Sequence, residues 1–170
     1  MSKINIFLTL TGYQITWLAC VFGESKLQSP FFGIYVGIIF FALYFYFNNN
    51  KIKFLKITGS IAIPGYFFDT ILVYFKIYEF NSSLIFLTLP LWMIVLWLSF
   101  SILFDKVLNF LKNYKILGLF LSCTLGPITY YFGEPIGLIT INNLYLFFLL
   151  MIFFWFFLMF FYLKVLIEKY

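Results

Sequence analysis

The chain has 170 residues, of which 64% are hydrophobic and only 10% are charged. Soluble domains carry about 25% charged residues, so we infer that a lipid bilayer rather than water is the main solvent of this chain. The sequence contains no His and no Arg, which excludes histidine triads, histidine-ligated zinc or haem, and bidentate arginine clamps on phosphate. We therefore expect no metal site and no cofactor, and catalysis would have to use carboxylate, Lys, Tyr, Ser, Thr or Cys side chains.

Six apolar stretches approach the length of a membrane-spanning helix, which needs about 20 residues to cross about 30 Å of hydrocarbon. They cover residues 4–22, 30–47, 57–75, 84–104, 116–131 and 143–166, and the fifth is slightly short. Short polar gaps separate them, as helical hairpins require. The sequence therefore predicts an all-α fold, in which a single membrane domain over residues 1–170 forms a polytopic bundle of about six transmembrane helices.

The positions of the eleven lysines predict the topology of this bundle. Only Lys26 and Lys76 fall in the first, third or fifth gap, and the other nine fall at the chain ends or in the remaining gaps. Those nine are Lys3, Lys51, Lys53, Lys56, Lys106, Lys112, Lys115, Lys164 and Lys169. Because lysines near span ends in short loops stay in the cytoplasm, we expect both termini there. The excess positive charge then indicates contact with anionic lipid, and we expect no binding to nucleic acid.

Asp69 lies well inside the third apolar stretch, where an ionisable residue costs about 2.5–3.5 kcal/mol on insertion scales. Counted at 1.5 Å per residue from the inner ends, several unusual residues reach similar heights of about 15–21 Å in four spans. They are Gln14, Trp17, Asp69, Trp92 and Tyr130. Because polar groups in a membrane face the bundle interior, this layer predicts a polar ligand-binding pocket in the outer half of the bundle. Hydrogen bonding of Asp69 to Gln14 or Tyr130, as a purely structural link between helices, explains the same pattern.

Four ordered segments resemble one protein family. They read YQITWLAC at residues 13–20, PGYFFD at 64–69, LPLW at 89–92 with Trp97 beyond it, and LGPITYYFG at 125–133. Over nearly its full length the chain resembles the bacterial membrane family called domain of unknown function 2878. The resemblance implies a small inner-membrane protein without an assigned activity. It also implies a link to lipid chemistry, because such proteins are often encoded beside cyclopropane-fatty-acid-synthase-like and other lipid-modifying enzymes.

We therefore expect a multi-pass protein of the bacterial inner membrane that is an accessory or binding component in membrane-lipid or fatty-acid modification. Its expected partners are membrane lipids and a peripheral lipid-modifying enzyme at the lysine-rich cytoplasmic face. One alternative is a small proton-coupled transporter that uses Asp69 as its titrating group. An intramembrane enzyme and a purely structural membrane protein are the others, and whether the chain has catalytic activity stays open.

Overall fold

A computed structural model describes residues 3–166, and within them six α-helices follow one another along the chain. Their bounds are Lys3–Ser25 (α1), Pro30–Phe47 (α2), Lys51–Tyr74 (α3), Leu91–Lys106 (α4), Lys115–Tyr131 (α5) and Leu144–Phe161 (α6). A 3-10 helix, Leu108–Asn113, connects α4 to α5, and a π-helical turn, Tyr162–Leu166, extends α6. The prediction of a helical fold is confirmed.

Four of the described helices are long and apolar enough to cross a membrane. They contain the segments Asn5–Ser25, Pro30–Phe47, Lys51–Tyr74 and Leu144–Leu166. By contrast, α4 and α5 have 16 and 17 residues, or about 24–26 Å of helix at 1.5 Å per residue. This is less than the hydrocarbon thickness of about 30 Å. The six-span count and the position of the termini stay predictions, and Lys169 lies outside the described residues.

The third helix begins earlier than the predicted span at residue 57, because polar residues cap it. It starts at Lys51, where the side-chain Oδ1 of Asn50 accepts a hydrogen bond from the Lys53 backbone N–H over 2.9 Å. An asparagine in this position satisfies a backbone donor that the first helical turn leaves without a partner. The cluster of lysines at residues 51–56 is therefore helical rather than part of a loop.

The fourth helix begins at Leu91, seven residues after the start of the predicted span 84–104. The residues before it form a short antiparallel hairpin of β2 (Ile85–Phe86) and β3 (Leu89–Pro90). Leu87 turns this hairpin with a φ of +61°. Pro90 lacks a backbone N–H and therefore fits immediately before a helix but not inside one. Hydropathy alone does not distinguish this apolar hairpin from the first turns of a helix.

A second two-stranded sheet joins two more connections. In it β1 (Tyr78–Phe80), which follows α3, pairs antiparallel with β4 (Ile139–Ile141), which precedes α6. Tyr78 lies opposite Ile141, and Phe80 lies opposite Ile139. The pairing brings together connections about 60 residues apart in the sequence.

The described chain divides into two compact units. The first contains residues 3–67 and 82–109. In it a cluster of Phe40, Phe54 and Ile102 forms part of the core. Gly37 allows the helices to approach, because a Cβ at this position would overlap Val95 and lie 3.0 Å from the Thr16 methyl group.

The second unit contains residues 68–81 and 110–166, and the division between the units falls within α3. It comprises the last turns of α3, the β1–β4 sheet, α5 and α6. Gly126 of α5 lies against α6, where a Cβ would overlap the Trp155 indole. This unit contains Asp69. The prediction of a single membrane domain is not tested by this division and stays a prediction.

Candidate functional site

Asp69 lies in the last turns of α3 and is completely buried. Both of its carboxylate oxygens accept hydrogen bonds from tyrosine hydroxyls. The Tyr78 hydroxyl donates to Oδ1 over 2.8 Å, and the Tyr130 hydroxyl donates to Oδ2 over 2.8 Å. We call these three residues the Asp69 cluster. Two donors on one carboxylate partly replace the water that the group loses on burial.

Tyr78 reaches Asp69 because the chain turns back directly after α3. The Ile77 backbone N–H donates to the Leu72 carbonyl over 2.9 Å, and Lys76 has the left-handed φ of +54° that such a reversal requires. Tyr78 is then the first residue of β1 and has no exposed surface. Its ring contacts Phe147 of α6 edge to face, with 5.8 Å between the ring centroids. Such a contact fixes the ring as well as burying it.

Tyr130 approaches Asp69 from the last turn of α5. Its ring lies 6.1 Å from that of Tyr78, at an angle of 71°. Unlike Asp69 and Tyr78, Tyr130 is only partly buried. It is therefore the member of the cluster that a ligand reaches most directly.

The electrostatics of the cluster keep the Tyr78 hydroxyl protonated. Burial raises the pKa of Tyr78 well above its ordinary value of 10.0, and the negative charge of Asp69 and the neighbouring Tyr130 raise this pKa further. A tyrosine in this state remains a hydrogen-bond donor, whereas an ionised carboxylate is an acceptor only. The arrangement therefore keeps the Tyr78 hydroxyl available as a donor to Asp69.

Side-chain hydrogen bonds fix the two connections that form the β1–β4 sheet. The Asn142 side-chain amide donates to the Lys76 carbonyl over 3.1 Å and to Glu79 Oε1 over 3.3 Å. Glu134 Oε1 accepts from the Ile141 backbone N–H over 3.0 Å. These bonds tie the residues on both sides of Tyr78 to the connection that precedes α6, so the position of Tyr78 depends on both connections.

Two residues next to the cluster in the sequence make aromatic contacts with α6. Phe68, the residue before Asp69, stacks on Phe154 with 4.0 Å between centroids and an angle of 6°. The Tyr131 ring, next to Tyr130, lies 5.6 Å from that of Phe148. These ring pairs pack α6 against α3 and α5 at the residues next to Asp69 and Tyr130.

The structure brings together two of the five residues predicted for the polar layer, Asp69 and Tyr130. The other three belong to the first unit, where Gln14 is exposed, Trp17 is partly buried and Trp92 is 3% exposed. A pocket formed by all five residues stays a prediction. Within residues 3–166, no three His, Cys, Asp or Glu residues form a group able to hold a metal ion.

Tyr78 was not among the predicted site residues, because it lies outside the predicted spans. Tyr78 lies beyond α3, in a gap where a tyrosine is ordinarily an interfacial anchor. Its alternation with Phe80, on either side of the exposed Glu79, was the available signal of a short strand with one buried face.

Comparison with known proteins places the chain in a family. The family described as "Protein of unknown function (DUF2878)" matches residues 6–161. No curated protein matches the chain. No solved structure matches it either. Because the family match covers most of the chain and includes every residue of the Asp69 cluster, the chain belongs to the DUF2878 family.

Proposed function

We propose that this protein is a multi-pass protein of the bacterial inner membrane that binds lipid as an accessory component of membrane-lipid or fatty-acid modification. The observation that carries the proposal is the Asp69 cluster, in which a buried carboxylate orients the hydroxyl of the partly exposed Tyr130. A phenol hydroxyl that donates one hydrogen bond can also accept one, so a tyrosine of this kind suits contact with a polar group of a lipid. The neighbouring aromatic rings suit an acyl chain.

The proposed topology has six spans with both termini in the cytoplasm. The unequal distribution of lysines between alternate gaps supports it. It requires α4 and α5 to cross the bilayer although they are short, which local thinning of the bilayer or residues flanking the helices accommodate at modest cost. Under this topology the Asp69 cluster lies in the outer half of the membrane.

A peripheral lipid-modifying enzyme is the proposed protein partner, at the cytoplasmic face. In support, Lys51 and Lys56 are exposed in the first turns of α3, and Lys112 and Lys115 are exposed near the start of α5. Exposed lysines next to a membrane attract anionic lipid headgroups and acidic protein surfaces. The family resemblance, which implies genes for lipid-modifying enzymes nearby, supports the same kind of partner.

A purely structural role of Asp69 is the second candidate. It is favoured by the fact that both carboxylate oxygens are occupied, so that one residue links α3, β1 and α5. Proton-coupled transport would require Asp69 to take up and release a proton while its two oxygens accept hydrogen bonds from Tyr78 and Tyr130. An intramembrane enzyme would have to use the same Asp69–Tyr130 pair for acid–base chemistry.

Lipid analysis of a strain that lacks the gene tests the proposed function. We expect the deletion to change the fatty-acid or headgroup profile under membrane stress, and we expect the wild-type gene to restore it. Complementation with Tyr130→Phe should fail, whereas Tyr131→Phe, which alters an exposed neighbour, should succeed. An unchanged profile in the deletion strain would refute the lipid role, and full rescue by Tyr130→Phe would leave the cluster with a structural role.

A further inference from the structure

A second buried carboxylate lies in the first unit, in the last turn of α1. Glu24 is 8% exposed, and its Oε1 accepts a hydrogen bond from the Ser83 backbone N–H over 3.0 Å. Its other oxygen, Oε2, is buried and has no hydrogen-bond partner within residues 3–166. An ionised carboxylate oxygen that has lost water and gained no donor is strongly destabilising.

The position of Glu24 on its helix increases this cost. The carboxyl end of a helix carries partial negative charge, so it favours cations and disfavours a carboxylate. Lys26 follows two residues later and is exposed. Within residues 3–166, Lys106 and Asp105 form an ion pair, whereas Glu24 forms none with a lysine. The local field and the unpaired oxygen therefore both favour a bound positive group.

A second buried oxygen belongs to a sequence neighbour of Ser83, the residue that contacts Glu24. The Ser82 hydroxyl, one residue before Ser83, is also buried without a hydrogen-bond partner in the described part of the chain. A serine oxygen can accept hydrogen bonds as well as donate one. Glu24 and Ser82 thus provide acceptors for a group that carries several donors.

The surroundings of Glu24 match the depth of lipid headgroups. Its helix is one of the four that can cross a membrane, and Glu24 lies in the last turn. The β2–β3 hairpin, which begins two residues after Ser83, exposes three consecutive apolar side chains. Ile85, Phe86 and Leu87 are 51%, 52% and 80% exposed. An exposed apolar hairpin tip beside the end of a spanning helix suits the interface between headgroups and acyl chains.

We propose that Glu24 Oε2 and the Ser82 hydroxyl bind the primary ammonium group of a membrane phospholipid headgroup. An ammonium group has three N–H donors and no acceptor, which complements these oxygens. Calcium takes 6–8 oxygen ligands and magnesium requires octahedral coordination, whereas one oxygen of Glu24 is already engaged by Ser83. Residues 82–84 lie at or near the surface, so a small displacement of this segment admits the headgroup. The inference rests on the proposed lipid binding and specifies its headgroup.

Native mass spectrometry of the full chain with defined lipids tests this inference. The probes are phosphatidylethanolamine, phosphatidylcholine and phosphatidylglycerol with identical acyl chains. The wild type should bind the ethanolamine lipid at least about tenfold more tightly than the choline lipid, whose nitrogen has no N–H. Glu24→Gln keeps an acceptor for Ser83 but loses the charge, and it should abolish this preference. Tyr131→Phe, which alters an exposed residue outside the first unit, should keep it.

Equal affinity of the wild type for the ethanolamine and choline lipids would overturn the inference. So would an unchanged preference in folded Glu24→Gln. If Glu24→Gln does not fold, the relative affinity of the wild type for the ethanolamine and choline lipids decides alone whether the inference holds. A melting midpoint that rises with millimolar sodium or calcium in the wild type, without any headgroup preference, would assign the site to an inorganic cation instead. Lipid binding without headgroup preference refutes only this inference, whereas absence of any bound lipid refutes the proposed function as well.

Discussion

The Tyr78 hydroxyl donates a hydrogen bond to Asp69 Oδ1 over 2.8 Å, and both residues are completely buried. They are nine residues apart in the sequence, and the end of α3 and a sharp reversal lie between them. The bond therefore fastens the end of a helix to the strand that follows it. Because this strand also pairs with β4, Asp69 contributes to holding α3 and the start of α6 together.

Replacing Asp69 with Asn should destabilise the fold. Asn keeps one acceptor oxygen but places an amide N–H₂ against a tyrosine O–H, so one buried donor loses its acceptor. We expect the free energy of unfolding to fall by about 2–3 kcal/mol, as for other broken hydrogen bonds to charged groups. Titration with a denaturing detergent in mixed micelles measures this change. Tyr131→Phe, which alters an exposed residue, is the control, and a loss in Asp69→Asn no larger than in this control would contradict the structural importance of the cluster.

The two tyrosines of the cluster should differ in their contribution to stability. Tyr78→Phe removes a donor from a completely buried site, and we expect it to lower the free energy of unfolding by about 1.5–3 kcal/mol. Tyr130→Phe should lower it less, because water reaches the partly exposed position. Tyr131→Phe should have an effect within about 0.5 kcal/mol, as for other surface substitutions. A larger loss of unfolding free energy in Tyr130→Phe than in Tyr78→Phe, measured in the same micelle assay, would show that burial does not determine the size of the loss.

The raised pKa of Tyr78 makes stability depend on alkaline pH. Below pH 10 its hydroxyl is protonated in both the folded and the unfolded state, so its contribution is complete. Above pH 10 the unfolded state loses this proton while the folded state keeps it. The free energy of unfolding should then fall by about 1.4 kcal/mol per pH unit from this group, until the pH reaches the folded pKa. Tyr78→Phe should show a shallower decline than the wild type between pH 10 and 11, and parallel curves would argue against this assignment.

A pair of glycine substitutions tests the packing of α5 on α6. Gly126→Ala places a methyl group into the Trp155 indole, and we expect it to destabilise the protein by about 1–3 kcal/mol through overpacking. Gly59→Ala is the matched control, because its Cβ would lie 3.7 Å from the nearest atom, Ile63 Cδ1. In a helix this second change should be neutral or stabilising by up to about 1 kcal/mol. Equal effects of the two substitutions on the unfolding midpoint would contradict the close approach at Gly126.

Labelling of single cysteines tests the six-span topology. In a variant that lacks Cys20 and Cys123, we expect the added cysteine of Ile136→Cys to react with a membrane-impermeant maleimide from the periplasmic side. Cysteine at Lys112 should react only after the cells are opened. Both positions are exposed, so burial does not explain a difference between them. If both cysteines reacted from the same side, the chain between them would cross the membrane an even number of times or not at all. This result would refute the six-span topology.

Composition and the apolar pattern predict the helical fold and most of the helix bounds, because the bilayer imposes a simple length rule. They do not predict the β2–β3 hairpin, whose residues 84–90 are as apolar as a helix. The predicted heights of Asp69 and Tyr130 in their spans are similar, and a hydrogen bond over 2.8 Å joins the two side chains. Tyr78 and Phe147 were not predicted, because the strand pairing and the packing of α6 that place them depend on contacts distant in the sequence.

The most direct test of lipid binding at the Asp69 cluster is mass spectrometry of the lipids that co-purify with the wild type and with Asp69→Asn. Both proteins must show the same helical content by circular dichroism and the same elution volume, and Tyr131→Phe serves as the control. We predict that the wild type and the control retain a specific acyl species that Asp69→Asn loses. The same bulk lipid in all three samples would contradict the proposed site.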